Sequence, residues 1–240
     1  MTARRWLPLR KGTAMVHHHY FLCKQPHMTL EEFYTYWRRR HVKASPTPIL
    51  NLRRYIQGHR APVPRGNAPF DGVTEAWYDN LDGMLEQRRH FTHELAIKDE
   101  AEFIDHRRID ILTTTDDLIL DGEKKRGMIK GVFLIKRKPT LLRDDFRRYW
   151  KDVHAPIVLK IPGLRRYLHC HTVNEAYEWA EPRWDGVAHL YFDDAQAAER
   201  ATVSDVFIKD ALPDVDKFVS IVSEMWVQEL HILPVEERPK

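Results

Sequence analysis

The chain has 240 residues, with 38 lysines and arginines against 35 aspartates and glutamates, a formal net charge of +3. So small an excess leaves no electrostatic footprint for nucleic acid, and there is no run of roughly 18 apolar residues to span a membrane. The amino terminus lacks the apolar stretch of a signal peptide, so the protein is expected in the cytoplasm.

Residues 1–14 are basic and show little periodicity, and they read as an arm or strap. Residues 15–24 are rich in β-branched and aromatic side chains and predict a strand, matched later by residues 128–136. Of its three consecutive histidines only His17 and His19 can share a face, and they read as chance or a tag remnant rather than a metal cluster. Thr29-Leu30-Glu31-Glu32 has the form of a capping box and opens a helix, whereas its later counterpart near Leu142 has a poorer cap.

Inside that helix the pattern Phe-x-x-Tyr-Trp-x-x-x-His (Phe33, Tyr36, Trp37, His41) returns as Phe146, Tyr149, Trp150 and His154. Four landmarks at identical spacing mark an internal duplication. Phe33, Trp37 and His41 climb one face, and a proline follows each histidine (Pro46, Pro156). The helix is therefore expected to stop there, leaving the imidazole at a carboxyl end whose dipole favours its protonated form.

Each copy continues into Leu-Arg-Arg-Tyr, at 52–55 and 164–167, and a second strand whose one face carries Tyr55, Gln57 and His59, or Tyr167, His169 and His171. A third strand opens with Asp-Gly-Val at 71–73 and 185–187; alternation puts Val73, Glu75 and Trp77 on one face and Val187, His189 and Tyr191 on its equivalent. Helical material ending in Asp99 to Phe103 and Asp214 to Phe218 leads to last strands at about 108–114 and 225–233. Cys23 and Cys170 fall within strand patterns and are expected as buried free thiols.

The order β-α-β-β-α-β, twice, predicts an α+β fold of two ferredoxin-like repeats. Each sheet has helices on one side only, so its bare face is expected against the sister sheet, giving a pseudo-twofold α+β barrel within one chain. The expected divisions are an arm (1–14), repeat one (15–118), a charged linker (119–127), repeat two (128–233) and a tail (234–240). The chain would be a pseudo-dimeric monomer, or a higher homo-oligomer of it, that binds a small apolar or aromatic molecule and neither nucleic acid nor membrane.

The shared order of these motifs resembles the EthD family of the dimeric α+β barrel superfamily, present as a tandem fusion. That superfamily includes cofactor-independent monooxygenases, polyketide cyclases and methylmuconolactone methylisomerase, with ligand pockets between each sheet and its helices. The resemblance to the methylisomerase is distant: its helix-end histidine matches His41 and His154, and its second-strand tyrosine matches Tyr55 and Tyr167. Its further histidine, in the loop before the third strand, has no counterpart in residues 61–70.

Acid–base chemistry is the reading these residues carry: histidine moves protons near neutral pH, tyrosine can hydrogen-bond an oxyanion, and Glu75 or His189 could be the second proton carrier. The catalytic candidates are thus His41, Tyr55, His59 and Glu75 in repeat one and His154, Tyr167, His171 and His189 in repeat two, with Gln57, Trp77, His169 and Tyr191 as substrate-binding residues. The expected activity is a lyase, isomerase or cyclase step on an aromatic or polyketide-like compound. The carboxylate of Glu75 among imidazoles makes repeat one the expected proton-transfer pocket. No nucleotide-binding glycine motif occurs, and no cofactor or metal is expected. The competing readings are a cofactor-independent monooxygenase, a non-catalytic binding protein, and a metal enzyme using His169, His171 and His189 or His59 and Glu75.

Overall fold

A computed structural model of the protein describes residues 14–44, 51–89 and 91–233. The expected arm up to residue 13, the proline stop at Pro46 and the tail 234–240 lie outside the described residues.

The strands of repeat one are β1 (Val16–Leu22), β2 (Leu52–Arg60), β3 (Gly72–Tyr78) and β4 (Asp110–Leu120); those of repeat two are β5 (Ile129–Arg137), β6 (Arg166–Thr172), β7 (Gly186–Phe192) and β8 (Val219–Leu233). Each repeat builds an antiparallel sheet, β4-β1-β3-β2 or β8-β5-β7-β6, and the two sheets join edge to edge as β2–β8 and β4–β6 into one closed barrel. The expected intrachain pseudo-twofold barrel is present. Closure removes the open strand edges that would otherwise invite foreign pairing.

β4 and β8 outrun their sequence signals, and β4 takes the first two residues of the expected linker. The extra length of β4 pairs outside its own repeat, Thr114 to Leu120 running along β6, whereas the extra length of β8, residues 219–224, runs along β5 of the same repeat. A pattern read within repeat one contains no partner for residues 115–120.

Alternation gives each sheet two unlike faces. The inner faces meet in a layer that includes Phe21, Val73, Val132, Val187 and Met225, all inaccessible to solvent. On the outer faces, equivalent aromatic groups pin the helices: Phe33 with Trp37 and Phe103 in repeat one, Phe146 with Trp150 and Phe218 in repeat two, at centroid separations of 5.4 and 5.7 Å and of 5.6 and 5.7 Å. The repeated Asp-Gly-Val has a packing cause. A Cβ on Gly72 would lie 2.7 Å from the Trp37 ring and one on Gly186 2.8 Å from the Trp150 ring, so each indole lies on a glycine. Asp71 accepts the Lys24 N–H and Asp185 the Arg137 N–H, tying the third strand to the end of the first.

The capping box is formed, Thr29 Oγ1 accepting the Glu32 N–H at 3.2 Å and Glu32 accepting the Thr29 N–H at 2.8 Å; Leu142 offers no side-chain cap. The expected helix stop is corrected. Helix Leu30–Tyr36 passes through a π-helical turn, Trp37–His41, into Val42–Ala44, and Arg143–Tyr149 passes through Trp150–His154 into Ala155–Val158. Pro156 follows directly on the π turn, so the helix runs on past a residue that cannot donate an N–H of its own. The histidines therefore sit inside a continuous helix at a π turn, a distortion often found at functional sites.

Because both joining ladders cross between repeats, a protease nick within residues 121–127 is expected to leave the fragments co-eluting in size-exclusion chromatography until denaturant is added. Fragments that separate in native buffer would contradict the closed barrel.

Candidate functional site

In repeat two the space between sheet and helices is a cavity of about 510 Å³ walled by Phe133, Leu190, Phe207, Phe218, Trp150, Tyr167 and His154, among others. The size and apolar lining suit a small flat molecule. At its wall His154 Nδ1 lies 2.9 Å from Asp214 Oδ2, while Asp214 Oδ1 accepts from Tyr149 Oη at 2.9 Å and Lys217 Nζ at 3.1 Å. With Nδ1 held by the carboxylate, Nε2 is the nitrogen left for chemistry. Tyr167 Oη accepts the Trp150 indole N–H at 3.3 Å, which leaves its own proton to donate.

Repeat one repeats this arrangement. His41 Nδ1 lies 2.7 Å from Asp99 Oδ2, Tyr36 Oη donates to Asp99 Oδ1 at 2.9 Å, and the Trp37 indole donates to Tyr55 Oη at 3.3 Å. Gln57 Nε2 donates to the Trp37 carbonyl at 3.2 Å, and His59 stacks on Tyr34 at 4.2 Å, so both are engaged within the protein.

The protonated histidine expected from the helix dipole is corrected. Burial lowers the pKa of both His41 and His154 and outweighs the opposing pull of Asp99 or Asp214. Burial also works against charge on Asp214, but hydrogen bonds from His154, Tyr149 and Lys217 hold its carboxyl below the usual range. Near neutral pH the pair is a neutral imidazole against a carboxylate. Burial raises Tyr167, with the Trp150 bond opposing, so the phenol stays protonated.

Glu75 does not join His41, Tyr55 and His59, and His189 does not join His154, Tyr167 and His171. Both point the other way, into the barrel, with His189 Nδ1 3.5 Å from Glu75 Oε1. The groupings of one carboxylate or one extra imidazole per helix-side pocket are therefore split by the sheets. The same fact dissolves both metal sets of the competing reading, since His169 and His171 face Trp150 on the helix side and His59 faces Tyr34 and Trp37.

Inside the barrel the two repeats build matching networks from unlike residues. His17 Nδ1 donates to Asp116 at 2.9 Å, and Trp77 Nε1 donates to Asp116 Oδ2 at 2.9 Å. At the equivalent places Lys130 donates to Glu229 at 2.8 Å, and Tyr191 Oη donates to Glu229 Oε1 at 2.8 Å. Trp77 and Tyr191, expected as cavity wall for a substrate, anchor these ion pairs instead. Lys130 also pairs with Glu75. Burial alone would raise Glu75, yet Lys130 and the neighbouring imidazoles hold it well below the carboxylate range. Cys23 and Cys170 are buried free thiols, as the sequence predicts.

Asp99 and Asp214 are the partners that the candidate list lacks. Their signal was available: each stands four residues before Phe103 or Phe218 in the corresponding stretch of its repeat.

Two ferredoxin-like sheets closed face to face, with a helix-side histidine–aspartate pair in each repeat, define an α+β barrel of the dimeric class made by one chain. The EthD domain model matches residues 25–107 and again 138–221, more than half of the sequence, and the chain belongs to the EthD family as a tandem pair. No protein of curated function matches it significantly in sequence. Among solved structures, an anthrone oxidase-like protein is 10% identical, with 96% of this chain and 98% of that one covered and a TM-score of 0.60. A candidate monooxygenase from Fusobacterium nucleatum is 8% identical over 95% of this chain and 96% of that one, with a TM-score of 0.59. An EthD family protein from Bacillus halodurans is 26% identical, covering 43% of this chain and 99% of its own, with a TM-score of 0.37. At 8–10% identity the two full-length matches establish the fold alone. No helix among the described residues is long and apolar enough to cross a membrane.

Two outcomes follow from the buried charges. Lys130→Met leaves Glu75 and Glu229 without their shared cation and is expected to cost about 3–5 kcal/mol in urea unfolding; a loss below about 1 kcal/mol would contradict the pairing. Burial lowers His59 and His171 to about 4, His189 to about 3 and His169 to about 2, so below pH 6.5 the unfolded chain binds more protons at these sites. His17, raised by Asp116 against burial, acts in the opposite sense. Glu100, which burial raises to about 7, acts with His17, but the four lowered imidazoles outnumber them, so the net contribution falls as pH drops from about 6.5 towards 4. The thermal midpoint is expected to be lower at pH 5 than at pH 7.5, and an unchanged or higher midpoint at pH 5 would contradict neutral burial.

Proposed function

We propose that the protein is a small-molecule enzyme that takes a flat aromatic or polyketide-like compound into the repeat-two cavity and moves a proton with His154. The observation that carries this reading is a neutral imidazole, oriented by Asp214, at the wall of an apolar cavity of about 510 Å³. His154 Nε2 takes a proton from a carbon or phenol made acidic by a conjugated carbonyl, and the Tyr167 hydroxyl donates to the oxyanion that develops. Trp150, Phe133, Leu190 and Phe207 hold the ring system by apolar contact. Returning the proton elsewhere on the same skeleton gives an isomerase, lyase or cyclase outcome. This assigns turnover to repeat two, because the carboxylate that favoured repeat one lies on the other face of the sheet.

A second reading shares the first step. Two proteins with this fold are an anthrone oxidase-like protein and a candidate monooxygenase, and a deprotonated aromatic ligand attacked by dioxygen would fit both. Oxygen uptake during turnover separates the two outcomes.

Aromatic polyketides, quinones and lactones are to be screened by thermal shift and by quenching of tryptophan fluorescence, and hits then assayed for turnover. His154→Ala is expected to keep ligand binding and lose about 100-fold or more in kcat/KM, with Tyr167→Phe losing less and His41→Ala changing little. In the wild type kcat/KM should be level above pH 6.5 and fall as pH drops through the lowered pKa of His154, because only the neutral ring accepts a proton. Equal losses in His41→Ala and His154→Ala would overturn the assignment to repeat two. Binding without any turnover would reduce the protein to a ligand carrier.

A further inference from the structure

The barrel interior holds a set of side chains that the helix-side chemistry does not use. His19 and Glu75 are direct cross-strand neighbours in the β1–β3 ladder, and His189 reaches the same point from β7 in the opposite sheet. One ligand-type atom from each of these three residues lies within 4.8 Å of the other two. All three side chains are buried, at 0%, 0% and 1% exposure.

The hydrogen bonds around this point decide which lone pairs are free. Thr114 Oγ1 donates its only proton to the His17 carbonyl at 3.1 Å, so it must accept from His19 Nε2, 3.1 Å away. That fixes the proton of His19 on Nε2 and turns the lone pair of Nδ1 inward, where it has no partner. Lys130 occupies Glu75 Oε2, while Glu75 Oε1 has His17 Nε2 3.2 Å away as an ion-pair partner, off the line of a hydrogen bond. His189 Nε2 is likewise buried without a partner. The free lone pair of His19 and the carboxylate of Glu75 therefore converge with the His189 imidazole, whose Nδ1 faces Glu75 Oε1, in a buried place where a cation would satisfy them.

We propose that His19, Glu75 and His189 form a binding site for a divalent first-row transition ion, of the kind that accepts two imidazoles and one carboxylate. Zinc or iron(II) bonds of about 2.1 Å set ligand atoms about 3.0–3.4 Å apart, so rotations of the two rings must draw the three atoms inward. Thr114 behind His19 and Lys130 behind Glu75 are outer-shell partners that fix ligand orientation. Two ligands come from repeat one and one from repeat two, so the ion fastens the two sheets across the barrel. The site lies on the opposite face of the sheets from the His154 cavity, and neither proposal rests on the other.

The test uses full-length protein without a polyhistidine tag, stripped by chelator and offered Co²⁺, Zn²⁺ or Mg²⁺ both when folded and during refolding, because the site is enclosed. The expected result is close to one equivalent of Co²⁺ or Zn²⁺ per chain with a visible Co²⁺ absorption band and a raised thermal midpoint, and no uptake of Mg²⁺. His19→Gln and His189→Asn should each weaken affinity by on the order of 100-fold, while His18→Ala, whose ring bonds Thr113 on the other face, should not. Uptake by neither route, or equal uptake by all three variants, would overturn the site. If the ligand variants fail to fold by circular dichroism, X-ray absorption of the wild-type zinc complex decides. Nitrogen and oxygen neighbours alone support the proposal, and a sulfur neighbour, which would bring in Cys170, overturns it.

Discussion

Each repeat alone is an incomplete object: a sheet with helices on one side, a bare face on the other, and two unpaired edges. The β2–β8 and β4–β6 ladders close both edges, and closure brings the bare faces together. Without it Phe21, Val73, Val132 and Val187 would meet water, and so would the charges of Lys130 and Glu75, which owe their pairing to strands from different repeats. The long β4 and β8 are thus the part of the chain on which the rest depends.

Closure also separates two chemistries by a single layer of backbone. Outside each sheet, the π turn ending at His41 or His154 sets an imidazole beside a carboxylate from the far helix, next to aromatic rings. Inside, ion pairs and imidazoles are walled off from water. Period-two alternation is what sorts Tyr167 and His169 to one side and His189 and Glu75 to the other, so a shift of one residue in register would exchange the two sets.

Much of the fold was legible in the sequence because it rests on local signals that occur twice. Thr29 and Glu32 announced a helix start, and the repeated Asp-Gly-Val marked the strand on which each tryptophan lies. What could not be read depends on contacts between repeats. Nothing in the local pattern of residues 115–120 shows that they pair with β6, and nothing around Glu75 shows that its neighbours are His189 and Lys130 rather than His41. The direction of the histidine pKa was misread for a related reason: the dipole argument assumed an exposed helix end, whereas burial dominates at His41 and His154. His17 and His19 look like a tag remnant in one dimension, and only the ladder partners Trp77 and Glu75 reveal them as interior residues.

Glu75 and His189 occupy the same position in their respective repeats and yet lie within 3.5 Å of each other, which puts them beside the pseudo-twofold axis. In a barrel assembled from two identical chains, a residue beside the axis meets its own copy. Two glutamates in contact cannot both stay ionised, and two imidazoles cannot offer a carboxylate. Joining the halves in one polypeptide lifts that restriction, because each side of the axis can then be encoded separately. The centre of this barrel holds an unlike pair, acid against base, that exact symmetry forbids.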